Sequence, residues 1–176
     1  GRLIVGITSK GTMDKVSPNV RIAMAKKAEL ITSFRLPTGA FQEYAGTKVV
    51  TDIVILRKRD APIGIVTDDW MDSIDHPTPA GTPVKINNFY HLNPKNVIGT
   101  IDYGHGTTSP RPGLVVRRPD DVQKELNRVV RLVPKDVYNN DTTTKDITYI
   151  TNHTDDRQGS LTIKDRDIDG GINIFD

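Results

Sequence analysis

The sequence predicts an α/β fold in its first third and a loop-rich α+β extension after it. Three features of residues 1–60 carry this prediction: a short apolar run rich in β-branched residues, a helix with start signals, and a long apolar strand. The chain of 176 residues is long enough to bury a core. Its hydrophobic content of 36%, with 14 Gly and 11 Pro, indicates that much of the remainder forms loops.

The first strand and the first helix are indicated by local patterns. Arg2–Thr8, RLIVGIT, is predicted to be a buried strand. Ser17 is a good N-cap and Pro18 suits the first helical position, so a helix is expected to start there. Its predicted buried face comprises Val20, Ala23, Met24 and Lys27.

Two further strands follow this helix. Leu30–Pro37 is predicted to be a strand that Pro37 ends. Residues 48–59, KVVTDIVILRKR, form a longer strand that is apolar on both faces apart from Thr51 and Asp52, which is typical of the middle of a covered sheet. The first three elements suit a parallel crossover, and the last two strands suit a hairpin with a long loop.

The character of the chain changes after residue 60, so we divide it into residues 1–60, 61–118 and 119–176. The middle segment is rich in Pro, Gly and Thr. The last segment is predicted to contain a helix and a small β hairpin around Asp169. Asp120 or Asp121 caps the helix, Pro134 ends it, and its apolar face comprises Val122, Leu126, Val129, Val130 and Val133.

Basic side chains are concentrated at the start of the chain. Residues 1–60 carry eleven Lys or Arg and five Asp or Glu, whereas the remainder carries thirteen and seventeen. A basic first third is compatible with nucleic-acid binding, and equally with an ordinary solvated surface.

Several function classes find no support in the composition. The chain has no cysteine, so it has no disulfide framework and no thiolate metal site. No apolar run approaches the roughly 20 residues of a membrane span, and we see no signal-peptide pattern, so we expect a cytoplasmic protein without a membrane partner.

No metal site is predicted either. The four histidines, at positions 76, 91, 105 and 153, are far apart in the sequence and lack a carboxylate at ligand spacing. The acidic stretch at residues 68–75 is interpreted either as a cation site or as a solvated turn. Trp70 within it is predicted to be a packing anchor.

The stretch GRLIVGITSKGTMDK, continued by AELITSFRLPTGAFQEYAGTKVVTDIVILRKR, has an unusual order of features. A Gly-Arg-Leu strand, a strand ending in Leu-Pro, a loop with Phe41, and a Thr-Asp-apolar strand ending in basic residues follow each other. This order resembles the C-terminal part of N6-adenine DNA methyltransferase domains. The similarity is greatest to the large methylase-helicase proteins of phages and mobile elements, of antirestriction type, and more distant to modification subunits of type I restriction systems. NNFYHLNPKNVIGTI is similar to a segment that follows the methylase core in the same proteins.

The resemblance implies a fold, a reaction and a site. It implies that residues 1–60 are the C-terminal strands and helix of a doubly wound, Rossmann-like methyltransferase sheet. The parent protein would transfer a methyl group from S-adenosylmethionine to adenine N6 in DNA. Phe41 would line the target-base pocket, with Tyr44 as a second candidate; the alternative is that Phe41 folds back into the core. Candidate DNA-backbone contacts are Lys10, Lys15, Arg35, Arg57, Lys58 and Arg59, although the last three also suit a strand end that leaves the sheet into water.

Two motifs of this family are missing from the sequence. The cofactor-binding glycine motif and the Asn/Asp-Pro-Pro-aromatic motif of the family have no counterpart here, so we assign no catalytic residue and expect no S-adenosylmethionine binding by this fragment alone. Expected partners are DNA, the rest of the parent polypeptide, and a second copy through an exposed sheet edge. Two alternatives stay open: a non-catalytic DNA-binding or assembly module of a phage or mobile-element protein, and an independent domain of unrelated function.

Overall fold

The main sheet has three antiparallel strands with the last strand in its centre. The structure, a computed structural model, describes residues 2–46, 48–106, 111–135 and 137. Its first strands are β1 (Leu3–Ser9), β2 (Ala28–Arg35) and β3 (Thr51–Lys58), in the spatial order β1-β3-β2. The short helix α1 (Gly11–Asp14) and the longer α2 (Asn19–Lys27) connect β1 to β2.

Two hairpins and two helices follow the main sheet. The first hairpin joins β4 (Ser73–His76) to β5 (Val84–Asn87), and the second joins β6 (Thr100–Gly104) to β7 (Gly113–Arg117). Short 3-10 turns cover Asp69–Met71 and Pro94–Asn96. The remaining helices are α3 (Gln42–Ala45), α4 (Asn88–Leu92) and α5 (Val122–Val130).

The strand pairing confirms the predicted hairpin and the coarse α/β class. β2 and β3 pair antiparallel, with a register irregularity between Leu30 and Thr32. β1 also pairs antiparallel with β3, so β1 and β2 run in the same direction on either side of it. The expected crossover from β1 to β2 is therefore present, but β3 occupies the position between them. This central position explains why β3 is apolar on both faces.

The buried face of α2 differs from the prediction. Val20 is 53% exposed and Ala23 is exposed, whereas Arg21 and Ala25 are buried. Ser17 makes no capping bond, because the helix begins at Asn19 after Pro18. Arg21 turns inward because its guanidinium donates hydrogen bonds to the carbonyl oxygens of Met71 and Lys15, which a periodicity argument cannot foresee.

The predicted helix near the end of the described chain is confirmed. α5 begins after Asp121, whose side chain accepts a hydrogen bond from the Lys124 N–H at 2.9 Å, as expected of an N-cap. Val129 is its fully buried residue, whereas Val130 of the predicted apolar face is 64% exposed. The helix ends at Val130, four residues before the predicted end at Pro134. The predicted hairpin around Asp169 and the fourth histidine, His153, lie outside the described residues.

One hydrophobic core joins the first two sequence segments. Met13, Ala25 and Val54 of the main sheet region pack in the same cluster as Ile86 and Val116. The boundary that we drew near residue 60 is therefore crossed by the core. Trp70 is 3% exposed and belongs to this cluster, which confirms its role as a packing anchor.

Candidate nucleic-acid interface

The aromatic loop lies at the edge where β1 and β2 both end. β1 ends at Ser9, whose register partner is Thr51 at the start of β3. β2 ends at Arg35, and the loop of residues 36–50 leaves from that end and returns into Thr51. The loop therefore lies at the edge that is formed by the C-terminal ends of β1 and β2 and by the start of β3.

Hydrogen bonds across its base hold this loop in place. The N–H of Leu36 donates to the Thr51 carbonyl at 2.8 Å, and the N–H of Thr38 donates to the Val116 carbonyl at 2.9 Å. Gly39 has φ +77°, a conformation that side-chain-bearing residues rarely adopt. The loop is thus anchored to β3 and β7, and α3 projects from it.

Phe41 lies at the border between core and solvent. Its ring is half-buried and packs against a small cluster formed by Phe34, Leu36, Ile98 and Val129. The ring is neither fully buried in the protein nor fully exposed to solvent. This position leaves both sequence-based interpretations of Phe41 open.

Tyr44 is far more accessible than Phe41. It lies on α3, which has no buried residue, and its exposed fraction is 88%. An aromatic ring with this exposure makes little contribution to the core. It is available to stack on a planar ligand at the same edge of the sheet.

Two lysines are placed at this edge by contacts with the loop, and a third, Lys15, lies one residue after the end of α1. The backbone N–H of Lys10, the residue after β1, donates to the Val50 carbonyl at 3.0 Å. Lys15 follows α1 and is exposed. Lys48, which the sequence analysis did not select, lies beside Gly39, since a Cβ built on that glycine would be 3.9 Å from the Lys48 Cγ. None of the three forms an ion pair with another described residue. We call Lys10, Lys15 and Lys48 the loop-end lysines.

The basic cluster at residues 57–59 lies at the opposite end of the sheet. Thr51 and Lys58 are the two ends of β3, and its eight residues span about 24 Å. Arg57 pairs with Glu29 at 2.6 Å, and the Arg59 Nε donates to the Ala25 carbonyl at 3.0 Å. These residues therefore lie far from Phe41, at the opposite end of the strand that follows its loop.

Arg35 is not a surface residue, so its assignment as a DNA-backbone contact is wrong. Its guanidinium is fully buried and forms ion pairs of 2.8 Å with Asp52 and with Asp14. The Tyr90 ring lies 4.1 Å from the guanidinium carbon. A phosphate cannot reach a cation enclosed in this way. Arg35 instead neutralises two buried carboxylates of the core.

The pKa values in this buried cluster are shifted. Burial raises the pKa of Asp14, and the attraction of Arg35 offsets this only in part. Burial also raises the pKa of the Tyr90 hydroxyl well above its ordinary value. Burial lowers the pKa of Arg35, but the hydrogen bonds and charges of Asp52 and Asp14 together reverse that effect, so Arg35 stays protonated.

Asn87 connects the middle segment to the same cluster. Its side-chain amide donates to the Met13 carbonyl at 2.7 Å and to the Trp70 carbonyl at 2.8 Å. Its backbone N–H donates to the Asp14 carboxylate at 2.8 Å. Sequence reasoning missed this residue, because a polar residue at a strand end gives no local sign of such distant partners.

His76 and His91, which are fifteen positions apart in the sequence, are in contact. The Nδ1 atoms of His76 and His91 are 3.4 Å apart, and burial together with the neighbouring His91 lowers the pKa of His76. Among the described residues, no group of three or more His, Asp or Glu side chains is arranged to hold a metal ion. The acidic stretch at residues 68–75 has no such group either.

Comparison of the chain with protein-family models, curated proteins and solved structures finds no match. Within the described parts of the chain, the helices are too short or too polar to cross a lipid bilayer.

Proposed function

We propose that the described region is the C-terminal part of a DNA adenine N6-methyltransferase domain. In that domain it would contribute contacts to the target base and to the DNA backbone. The observation that carries this proposal is the meeting of the aromatic loop with Lys10 and Lys48 at the edge where β1 and β2 end. A sheet edge with one half-buried ring, one exposed ring and two unpaired cations, with Lys15 as a third cation after α1, combines the two kinds of contact that such an enzyme needs.

The chemistry of base modification explains why these groups suit each other. An enzyme that methylates adenine N6 must take the base out of the duplex. An extruded base loses its stacking neighbours, and an aromatic side chain such as Phe41 or Tyr44 replaces part of that loss. Lysines around the ring hold the flanking phosphates without reading sequence.

The exposure of apolar side chains on β1 supports a larger sheet in the parent protein. Val5 and Ile7 are 65% and 61% exposed, although they belong to an apolar strand. Within the described residues, no strand pairs with the outer edge of β1. A strand of this composition is typical of a position inside a doubly wound sheet, with neighbours along its edge and cover on its faces. The rest of the parent polypeptide is the proposed neighbour.

We assign no catalytic residue to this chain. The sequence Asn-Pro-Lys-Asn at residues 93–96 superficially resembles a base-binding motif, but the Asn96 amide is buried and donates to the Thr32 hydroxyl at 2.8 Å and to the Ser33 carbonyl at 2.9 Å. Methyl transfer and S-adenosylmethionine binding are therefore proposed for other parts of the parent protein.

A second candidate is a non-catalytic DNA-binding or assembly module of a phage or mobile-element protein. The exposed apolar faces of β1 favour it, because they suit association with any partner that continues the sheet. It shares the DNA contacts of the first proposal and differs in the absence of methylation by the assembled protein.

The DNA contacts can be tested by fluorescence anisotropy of a labelled duplex at several salt concentrations. The test variant replaces the loop-end lysines: Lys10→Gln, Lys15→Gln and Lys48→Gln. The control removes the same charge from exposed positions that are assigned to no DNA contact: Lys26→Gln, Lys27→Gln and Lys124→Gln. Loss of three phosphate contacts is expected to reduce the slope of log K against log salt by about 2.7.

The comparison of the two variants decides whether the loop-end lysines contact DNA. A large loss of affinity in the loop-end variant and a small loss in the control support the proposal. Equal losses in both would show that only net charge matters and would remove the assigned interface. Added S-adenosylmethionine is expected to leave the affinity of this chain unchanged.

A further inference from the structure

A groove lies between the 3-10 turn after α4, the end of β7 and α5. Its volume is about 740 Å³. Four basic side chains and one acidic side chain line it, and aromatic residues are absent from its described lining. The charged residues are Lys95, Arg117, Arg118, Glu125 and Arg128. We call this feature the basic groove.

Part of the groove is fixed by internal hydrogen bonds. Arg128 donates from Nη1 to the Lys95 carbonyl at 2.8 Å and from Nε to the Glu125 carboxylate at 2.7 Å. Arg117 pairs with Asp102. Arg128 thereby ties α5 to the turn, and the single acidic side chain of the lining is already engaged.

Gly99 brings the walls of the groove close together. A Cβ built on Gly99 would be 2.0 Å from the Arg117 carbonyl oxygen, and Gly99 has φ +122°. Only glycine allows residues 99–100 to approach the end of β7 so closely. The position of these two walls is therefore set by the backbone and not by side chains alone.

Two cations of the groove have no internal partner. Lys95 and Arg118 are exposed and form no ion pair with another described residue. Unpaired cations that converge on a concave surface attract anions. Because the described lining provides no ring on which a base could stack, the groove suits the phosphate backbone and not the bases.

Helix α5 connects this groove to the aromatic loop. Val129 belongs to the small cluster on which Phe41 packs. Arg128, the preceding residue, lines the groove. The same helix therefore supports the aromatic loop on one side and the basic groove on the adjoining side.

We infer that the basic groove binds the phosphodiester backbone of DNA through Lys95 and Arg118, as a second contact beyond the loop-end lysines. This inference rests on the proposed function, since it assigns the DNA as the ligand. It extends the DNA-binding surface from the main sheet to residues 94–132, for which the sequence indicated no role.

The experiment compares two matched double variants of the whole chain. The test variant is Lys95→Gln with Arg118→Gln. The control is Lys124→Gln with Arg131→Gln, which removes the same charge from exposed positions on α5 and at its C-cap, outside the groove. Both are measured by anisotropy with a labelled duplex over a range of salt, after circular dichroism has verified their fold. Loss of two phosphate contacts is expected to lower the salt slope by about 1.8 in the test variant.

Each outcome decides a separate point. A lower slope in the test variant with an unchanged slope in the control supports the groove. Equal slopes in the two double variants overturn it, even if the loop-end variant still loses affinity. If the loop-end variant binds normally while the groove variant does not, the proposed function fails and the groove remains a DNA site. Displacement of DNA by polyglutamate at equal charge concentration would overturn the choice of phosphodiester as the ligand.

Discussion

Arg35 and Asp52 face each other on adjacent strands and exclude solvent from their charges. The Nε and Nη2 atoms of Arg35 each donate a hydrogen bond of 2.8 Å to the Asp52 carboxylate, and both side chains are fully buried. The remaining capacity of Nη2 is used by Asp14, also at 2.8 Å. This cluster joins the end of α1 to β2 and β3, at the end of β2 from which the aromatic loop leaves.

Removal of the central cation of this cluster is expected to destabilise the protein strongly. Arg35→Met leaves two carboxylates buried without a cation to neutralise them, which typically costs about 3–5 kcal/mol. Urea denaturation followed by circular dichroism measures the free energy of unfolding. The matched control is Arg57→Met, because Arg57 pairs with Glu29 at the surface and such pairs contribute about 0–1 kcal/mol. Equal losses in the two variants would show that Arg35 does not neutralise buried charge.

The stability contributions of Asp102 and Asp14 are expected to depend on pH with opposite signs. Hydrogen bonds from Arg117 and from the Tyr103 N–H lower the pKa of Asp102 below its ordinary value of 3.8. The contribution of Asp102 is therefore present above pH 3.8 and lost as the pH falls towards the folded pKa. Burial raises the pKa of Asp14 above 3.8, so its protonated form favours the folded state and this contribution is lost as the pH rises through that raised pKa.

Asparagine variants separate these two contributions. The difference in unfolding free energy between the wild-type protein and Asp102→Asn is expected to shrink as the pH decreases below 3.8. The corresponding difference for Asp14→Asn is expected to change in the opposite direction. Urea titrations between acidic and neutral pH measure both. Parallel pH profiles for the two variants would contradict the assigned shifts.

The aromatic residues of the loop are expected to stack on exposed bases. Phe41→Leu retains an apolar side chain against Ile98 and Val129 but removes the ring, and Tyr44→Ala removes the exposed ring. Each is expected to weaken binding of single-stranded DNA by about 1–3 kcal/mol. Fluorescence of 2-aminopurine in the DNA reports stacking. Tyr103→Leu, a half-buried ring that packs on the main core, is the control and should bind as the wild-type protein does. Normal quenching by both loop variants would remove the base-pocket assignment.

The outer edge of β1 is expected to mediate self-association at high concentration. Its unpaired backbone groups and the exposed Ile4, Val5 and Ile7 side chains form a template for another strand. Val5→Lys is expected to shift the protein to the monomer, since an edge lysine opposes strand addition. Val20→Lys, which adds the same charge at an exposed position of α2, is the control. Light scattering at crystallisation concentrations measures the mass, and a clean monomer of the wild-type protein would refute this prediction.

Local patterns predicted the elements that depend on local interactions. The start of α5 follows from Asp121, but its predicted apolar face is only partly right, because Val130 is 64% exposed. The central position of β3 follows from its two apolar faces. The prediction of the buried face of α2 was wrong, because the guanidinium of Arg21 donates a hydrogen bond to the carbonyl of Met71, fifty positions away. A residue-by-residue pattern contains no information about such a partner.

The sequence by itself determined the strands of residues 1–60, the start of α5, and that an aromatic loop joins β2 to β3. It did not determine β4 to β7 or α4, which lie in the segment predicted to be rich in loops. Only the tertiary structure decided which charges lie together. Lys10 and Lys48 come to the same sheet edge, whereas Arg57 lies at the opposite end and Arg35 is enclosed by acidic side chains. The physical reason is that hydrophobic periodicity specifies local burial, while the partner of each charge depends on which distant segments the fold brings within a few ångströms.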